Sequence, residues 1–141
     1  MLAAMTLTLE RYRCGIAGAG VSHIVAMMGY EQERLSGGSQ LYWARNIGDW
    51  RGRHRENVDA ISPALHAGRV QAPLMIIHGS EGIVVPYEQA ETMAEAMDAA
   101  GRPYELMTID GALLFLADDD QPQAPALENL IAFLQEHNPP E

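Results

Sequence analysis

The strongest constraint on the fold of this chain is a strand–helix–strand pattern between residues 73 and 109. Residues 73–78 form an apolar run between Pro73 and Gly79, which is typical of a buried parallel strand. Residues 104–109 form a second strand, which ends in the turn pair Asp110-Gly111. The residues between these strands carry an apolar helical stripe: Ala90, Met93, Ala94 and Met97. The pattern predicts a right-handed βαβ unit and a parallel sheet.

The flanking residues extend this pattern in both directions. Residues 14–21 are small and apolar and predict a third buried strand, and a helix is expected over about residues 125–137. That last helix has its own apolar stripe: Leu127, Leu130, Ile131 and Leu134. Shorter helices are expected over residues 1–8, 39–46 and 62–67. We therefore predict one α/β domain over residues 1–141, with about three parallel strands and flanking helices.

Composition excludes several classes of function. Hydrophobic residues make up 48% of the 141 residues, which is enough for a buried core, and the formal net charge is -10. Such an excess of acid opposes binding to nucleic acid or to anionic membranes. No apolar run is long enough to span a membrane, and residues 1–5 do not resemble a signal peptide. We expect a soluble, cytoplasmic protein without a disulfide, since Cys14 is its single cysteine.

Several segments together resemble the prolyl oligopeptidase family of serine peptidases. The central one is Ile-Ile-His-Gly-Ser-Glu-Gly-Ile-Val-Val-Pro over residues 76–86, followed by Gln89. Further matches, in the family's order, are Tyr12 to Ser22, Tyr42-Trp43, Gly48-Asp49-Trp50, Ser62-Pro63 and Gly101 to Leu106. The resemblance covers nearly the whole chain. It implies the C-terminal part of an α/β-hydrolase domain, whose nucleophile helix precedes the strand at Cys14.

The same resemblance implies positions for the catalytic residues, and none of the three is filled. A serine hydrolase needs a serine on a sharp strand–helix turn, a histidine base and an acid. The family's G-x-S-x-G turn would lie before residue 1, and the motif occurs nowhere in these 141 residues. The acid position corresponds to Gly82, beside Glu81 as a weak substitute, and the base position corresponds to Leu114. We therefore expect no catalytic residue in this chain.

Other candidate residues receive structural interpretations. Ser22 and His23 are adjacent, which rarely permits a catalytic dyad, so a loop or helix-cap role is expected for Ser22. His78 is expected to bond to the backbone of its turn. No histidine spacing indicates zinc, and the cluster Asp118-Asp119-Asp120 lacks a calcium-loop pattern, so no metal and no cofactor are expected. The aromatic side chains of the middle segment are assigned to packing: Tyr42, Trp43 and Trp50.

Three functional hypotheses remain open from the sequence. The first is an inactive peptidase remnant or pseudo-hydrolase, with a binding or assembly role. The second is a hydrolase subunit whose serine is supplied by a separate chain. The third, a flavodoxin-like small-molecule binder, lacks the expected crevice of polar groups. An unpaired apolar edge at residues 14–21 also predicts a partner, either a second copy or a complementing hydrolase half.

Overall fold

The computed structural model describes residues 1–8, 11–34, 43, 45–47, 55–114 and 124–140. Three parallel strands form its sheet, in the order β1 (Gly15–Gly18), β2 (Leu74–Gly79) and β3 (Tyr104–Ile109). Leu74 of β2 pairs with Gly15 on one side and with Tyr104 on the other. The predicted strands and their parallel arrangement are confirmed, although β1 is shorter than the expected residues 14–21.

Five α-helices and one 3₁₀ helix surround the sheet among the described residues. They are α1 (Leu2–Leu7), α2 (Ile24–Arg34), α3 (Arg55–Ala60), the 3₁₀ helix Pro63–Arg69, α4 (Glu88–Ala99) and α5 (Ala124–His137). The prediction for residues 62–67 corresponds to the 3₁₀ helix. Most of residues 39–46 lies outside the described residues. Helix α4 ends where predicted, because Gly101 adopts a left-handed φ of 62° that glycine tolerates without strain.

One face of the sheet carries the larger part of the core. Leu74 and Ile76 point from β2 toward α1, the 3₁₀ helix and α4, and both are buried. Met93 and Met97 of α4 pack against them and are 0% exposed. The predicted apolar stripe of α4 is therefore confirmed as its buried face.

Close contact between α1 and β1 depends on glycine. A Cβ at Gly15 would lie 2.8 Å from the Met5 sulfur, and one at Gly20 would lie 2.9 Å from Leu2 Cδ1. The small residues of β1 therefore let α1 lie directly over the strand, which explains why a buried strand contains so few large side chains.

Helix α5 covers the opposite face of the sheet, but not with the stripe expected from the sequence. Phe133 is its buried anchor, at 3% exposure, and packs with Leu130 against Met75 and Ile77. Three members of the expected stripe are instead exposed: Leu127 (44%), Ile131 (51%) and Leu134 (36%). The predicted stripe therefore contributes only Leu130 to the contact with the sheet, and Phe133, which is not part of the stripe, is the buried residue of α5.

A smaller cluster joins α2 and α3, which the sequence analysis did not predict. Ile24 and Met28 of α2 bury their side chains against Val58 of α3. The spacing of Ile24, Met27 and Met28 was a usable helical signal. Gly29 and the charged residues after it made that segment resemble irregular structure.

Candidate functional site

The turns after β2 and β3, which carry the predicted acid and base positions, both border one cavity. It has a volume of about 450 Å³ and lies beyond the C-terminal ends of β2 and β3, where ligands bind in open α/β sheets. Gly82 lines it from the turn after β2, and Leu113 lines it from the turn after β3. The charged side chains that line it are Arg34, Glu81, Glu88 and Glu91. The fold thus brings together the two turns from which a hydrolase would take its acid and base.

Gly79 makes the approach of these two turns possible. A Cβ at residue 79 would lie 2.2 Å from the carbonyl oxygens of both Ala112 and Leu114. The turn after β2 donates two hydrogen bonds across this contact, from Ser80 N to Ile109 O (3.0 Å) and from Glu81 N to Ala112 O (3.1 Å). Gly79 therefore has a steric role, which is to let the backbone of the base turn lie against the end of β2.

Gly82, the predicted acid position, has no space for a side chain. A Cβ there would lie 2.2 Å from Val85 O and 2.9 Å from His78 Cε1. Real Cβ atoms do not approach a carbonyl oxygen this closely, so any other residue would force the turn to move. Backbone and side-chain atoms of the turn fill the space in which a side chain at residue 82 would lie. No room remains there for a carboxylate.

His78 is buried between these turns and is not available as a base. Its Nδ1 lies 3.0 Å from Gly79 O, and because a carbonyl oxygen can only accept, Nδ1 carries the proton. Its Nε2 is buried and has no hydrogen-bond partner among the described residues. Its ring meets Tyr87 edge-on at 5.8 Å. The bond to the backbone is the contact expected from the sequence.

The predicted base position and the weak substitute for the acid both face solvent. Glu81, the weak substitute acid, is exposed, and so is Leu114 at 43%. The leucine can neither take nor give a proton. Glu81 lies one residue from the acid position in a turn whose backbone is held by hydrogen bonds, with its side chain in solvent.

Ser22 and His23 do not form a dyad, because each is engaged elsewhere. Ser22 is fully buried, and its Oγ donates to the carbonyl oxygen of Gln89 at 2.6 Å. His23 Nδ1 accepts from the Ala26 amide at 3.3 Å, so His23 rather than Ser22 makes the side-chain contact with the first turn of α2. Ser62 Oγ also receives the Ile24 amide at 3.2 Å.

Gln89 is the residue whose role the sequence analysis missed. Its side-chain Oε1 accepts from the backbone amides of Ser22 (3.0 Å) and His23 (2.9 Å), and it is 2% exposed. Gln89 thus connects α4 to the loop that follows β1 through these hydrogen bonds. Its position three residues after Pro86 in the resembling segment was the available signal.

The side chains of the described serines and histidines make structural contacts. Ser62 Oγ donates to Val58 O at 3.0 Å, and Ser80 Oγ accepts from the Gly111 amide at 2.8 Å. His66 Nε2 contacts Asp59 O at 3.2 Å, while the His137 ring packs against Phe133 at 4.6 Å between ring centroids. None of these contacts joins a serine hydroxyl to a histidine ring.

The other candidates show packing roles or lie outside the described residues. Trp43 packs against the cluster of α2 and α3, and its Nε1 donates to Glu31 Oε2. Cys14 is half-buried beside the α5 cluster. Tyr42, Trp50 and the Asp118-Asp119-Asp120 cluster lie outside the described residues.

Within the described ranges, no group of three or more His, Cys, Asp or Glu side chains is placed to hold a metal ion. In the same ranges, no helix has the length and apolar character needed to cross a membrane. The cytoplasmic location stays a prediction.

The three-stranded parallel sheet and its flanking helices form part of an α/β-hydrolase fold. This fold and the arrangement of turns define the class of protein, the α/β-hydrolases. Comparison with known proteins then gives the family. The model of the prolyl oligopeptidase family matches residues 1–138, and the chain belongs to that family. Among curated proteins, no sequence matches significantly.

Solved structures of peptidases share the fold. A puromycin-hydrolyzing peptidase of Mycobacterium tuberculosis is 25% identical, with a TM-score of 0.80 over 96% of this chain and 20% of its own. The uncomplexed acylaminoacyl peptidase of Pyrococcus horikoshii is 18% identical, with a TM-score of 0.75 over 95% of this chain and 21% of its own. The chain therefore spans about one fifth of the length of these structures.

Proposed function

We propose that this polypeptide is a catalytically inactive part of a prolyl-oligopeptidase-type peptidase domain, whose role is binding or assembly. The observation that carries the proposal is the closed turn at Gly82, where a side chain would collide with Val85 O at 2.2 Å. Leu114 at the predicted base position supports it from the second turn.

The described serines and histidines cannot replace the acid and base that are missing at the predicted positions. Removal of triad members reduces turnover by about 10⁴- to 10⁶-fold, and what remains comes largely from an oxyanion hole. The described serines are bonded to backbone groups, and the described histidines have structural contacts. Among the described residues, no serine hydroxyl is therefore paired with a histidine base for acyl transfer.

The second hypothesis, a subunit completed by a separate serine-bearing chain, requires this chain to provide the acid and the base. Gly82 and Leu114 provide neither, and no contact in the described structure favours a substitute. We therefore do not propose a complemented hydrolase.

The test is direct measurement of hydrolase chemistry. The purified 141-residue chain is incubated with a chromogenic ester and with a fluorophosphonate probe, beside an intact prolyl-oligopeptidase-family enzyme as positive control. We expect no probe labelling, and ester hydrolysis no faster than that of a Ser22→Ala variant or of heat-denatured chain. Labelling of one serine that disappears on its substitution by alanine would refute the proposal.

A further inference from the structure

The turn after β3 has an aspartate followed by a glycine at its centre, both exposed to solvent. Ala112 N donates to Ile109 O at 3.3 Å, which closes a four-residue turn around Asp110 and Gly111. Gly111 has a φ of 73°, whereas φ of Asp110 is negative, since Ala19 is the one described non-glycine residue with a positive φ. These signs make the turn type II, whose third residue is usually glycine.

The carboxyl group of Asp110 and the amide of Gly111 are free to react with each other. Among the described residues, no hydrogen bond or ion pair engages the Asp110 carboxylate. Gly111 has no side chain to shield its nitrogen. In the reaction, this nitrogen attacks Cγ of Asp110, so that a new C–N bond forms and a C–O bond breaks. The hydroxyl of the protonated carboxyl group leaves as water with the amide proton.

Hydrolysis of the resulting five-membered succinimide gives two products. Water that adds at Cγ breaks the new bond and restores aspartate. Water that adds at the main-chain carbonyl carbon breaks the original peptide bond, so the chain continues through Cγ as isoaspartate. The former main-chain carbonyl then becomes a free carboxylate. The reaction consumes no oxidant, leaves the mass of the chain unchanged and lengthens the main chain by one methylene carbon.

Ser80, in the turn after β2, holds the attacking nitrogen away from the carboxyl group. Gly111 N donates to Ser80 Oγ at 2.8 Å. Ring closure requires this nitrogen to eclipse Cβ of Asp110, but ψ of the second residue in a type II turn is about +120°, far from that arrangement. The planar peptide group must rotate as a unit to reach it. Such a rotation breaks the hydrogen bond to Ser80.

The same turn has little room for an added backbone atom. Ala112 is 1% exposed, and its carbonyl oxygen accepts from Glu81 N at 3.1 Å. That oxygen also lies 2.2 Å from the position that a Cβ on Gly79 would take. A methylene inserted at residue 110 therefore disturbs the contact between the turns after β2 and β3.

We propose that Asp110 is a site of spontaneous isoaspartate formation, which Ser80 restrains through the amide of Gly111. The exposed, unpaired carboxylate makes the site reactive, and the hydrogen bond to Ser80 makes the reaction slow while the turn is folded. The isomer loosens the two turns that border the cavity of about 450 Å³. It also presents a free main-chain carboxylate, which is the group that isoaspartate-specific methyltransferases methylate. The inference is independent of the proposed lack of catalysis.

The test follows residue 110 in the folded, full-length chain over time. The chain is incubated at 37 °C and pH 6 and then digested, and the two isomeric peptides are separated and quantified by liquid chromatography and mass spectrometry. Methyl transfer to the separated peptide by an isoaspartate methyltransferase identifies the isomer. Asp98, which lies within α4 and accepts from Tyr104 OH, is the internal reference and should remain aspartate.

Variants at residue 80 report on the restraint. Ser80→Ala removes the acceptor and should raise the rate of isomerisation in the folded chain about fivefold, which corresponds to the loss of one ordinary hydrogen bond. Ser80→Thr retains a hydroxyl and should react like the parent. In 8 M urea, where the turn is absent, the three chains should react at one common rate. Gln89→Leu removes hydrogen bonds to the loop after β1, outside this turn, and should also react like the folded parent.

Three results would overturn the inference. They are absence of isoaspartate at residue 110 from the folded Ser80→Ala chain, equal rates for the folded Ser80→Ala and parent chains, and a Gln89→Leu chain that reacts as fast as Ser80→Ala. The last result would assign the reaction to global unfolding. Labelling of a serine by the fluorophosphonate probe would refute the proposed function and would leave the isomerisation rates unaffected, so the two proposals fail separately.

Discussion

Gln89 connects two parts of the fold that lie more than 60 residues apart in the chain. Its one side-chain oxygen accepts from two consecutive amides, those of the buried Ser22 and the half-buried His23. A buried donor left without an acceptor costs about 1–3 kcal/mol, so this single side chain has a large effect on the loop after β1.

Replacement of Gln89 by leucine should therefore destabilise the fold by about 2–4 kcal/mol, because leucine is similar in size but accepts no hydrogen bond. Urea denaturation followed by circular dichroism measures the free energy of unfolding. Gln71→Leu, at an exposed position, is the matched control and should change it by less than about 0.5 kcal/mol. Equal midpoints for the two variants would contradict the structural role of Gln89.

At the predicted acid position, Gly82, the structure predicts that an introduced aspartate destabilises the fold. Gly82→Asp should cost about 1–3 kcal/mol, since its Cβ must move away from Val85 O, 2.2 Å distant in the present turn. Gly29→Asp places the same residue where nothing lies within 4 Å of the added Cβ and should be close to neutral. Urea titrations compare the two variants. A Gly82→Asp chain as stable as the parent would show that the turn has room for an acid.

At the scale of elements, α5 shows how one side chain sets the face of a helix. Three of the four residues of its predicted stripe are exposed, while Phe133 and the fourth, Leu130, make the contacts with the sheet. Periodicity identified the helix correctly, because apolar residues do recur at helical spacing. It could not identify the buried side, because two apolar faces compete on this helix and only the packing against Met75 and Ile77 decides between them.

Alanine substitutions within α5 distinguish these faces. Phe133→Ala should lower the free energy of unfolding by about 3–5 kcal/mol, as expected for removal of a buried ring. Ile131→Ala, in the same helix, should change it by less than about 0.5 kcal/mol, since Ile131 is 51% exposed. Thermal and urea denaturation provide the measurement. A larger effect at Ile131 than at Phe133 would mean that α5 packs on the sheet through its other face.

Charge acts at the scale of the whole molecule. With 19 acidic against 9 basic residues, the folded chain repels itself, and compaction brings like charges closer together. Salt screens this repulsion, because the Debye length falls from about 30 Å at 0.01 M to about 8 Å at 0.15 M.

We therefore expect the melting temperature at pH 7 to rise when sodium chloride is increased from 10 to 150 mM. Differential scanning calorimetry measures the shift, and sodium chloride is preferred to sulfate because sulfate also strengthens apolar burial. The sign of the change is the test. A melting temperature that falls with salt would mean that attractive ion pairs outweigh the net repulsion in the folded chain.

The sequence by itself determined the parallel strands at β2 and β3, the buried stripe of α4 and the family resemblance, since apolar periodicity and glycine or proline at element ends are local signals. It also predicted that glycine and leucine stand where the family's acid and base would be. Only the tertiary structure decided that Gly82 has no room for a side chain, that Gln89 joins α4 to the loop after β1, and that Phe133 sets the buried face of α5. Each of these depends on contacts between residues distant in the chain, which no local pattern contains.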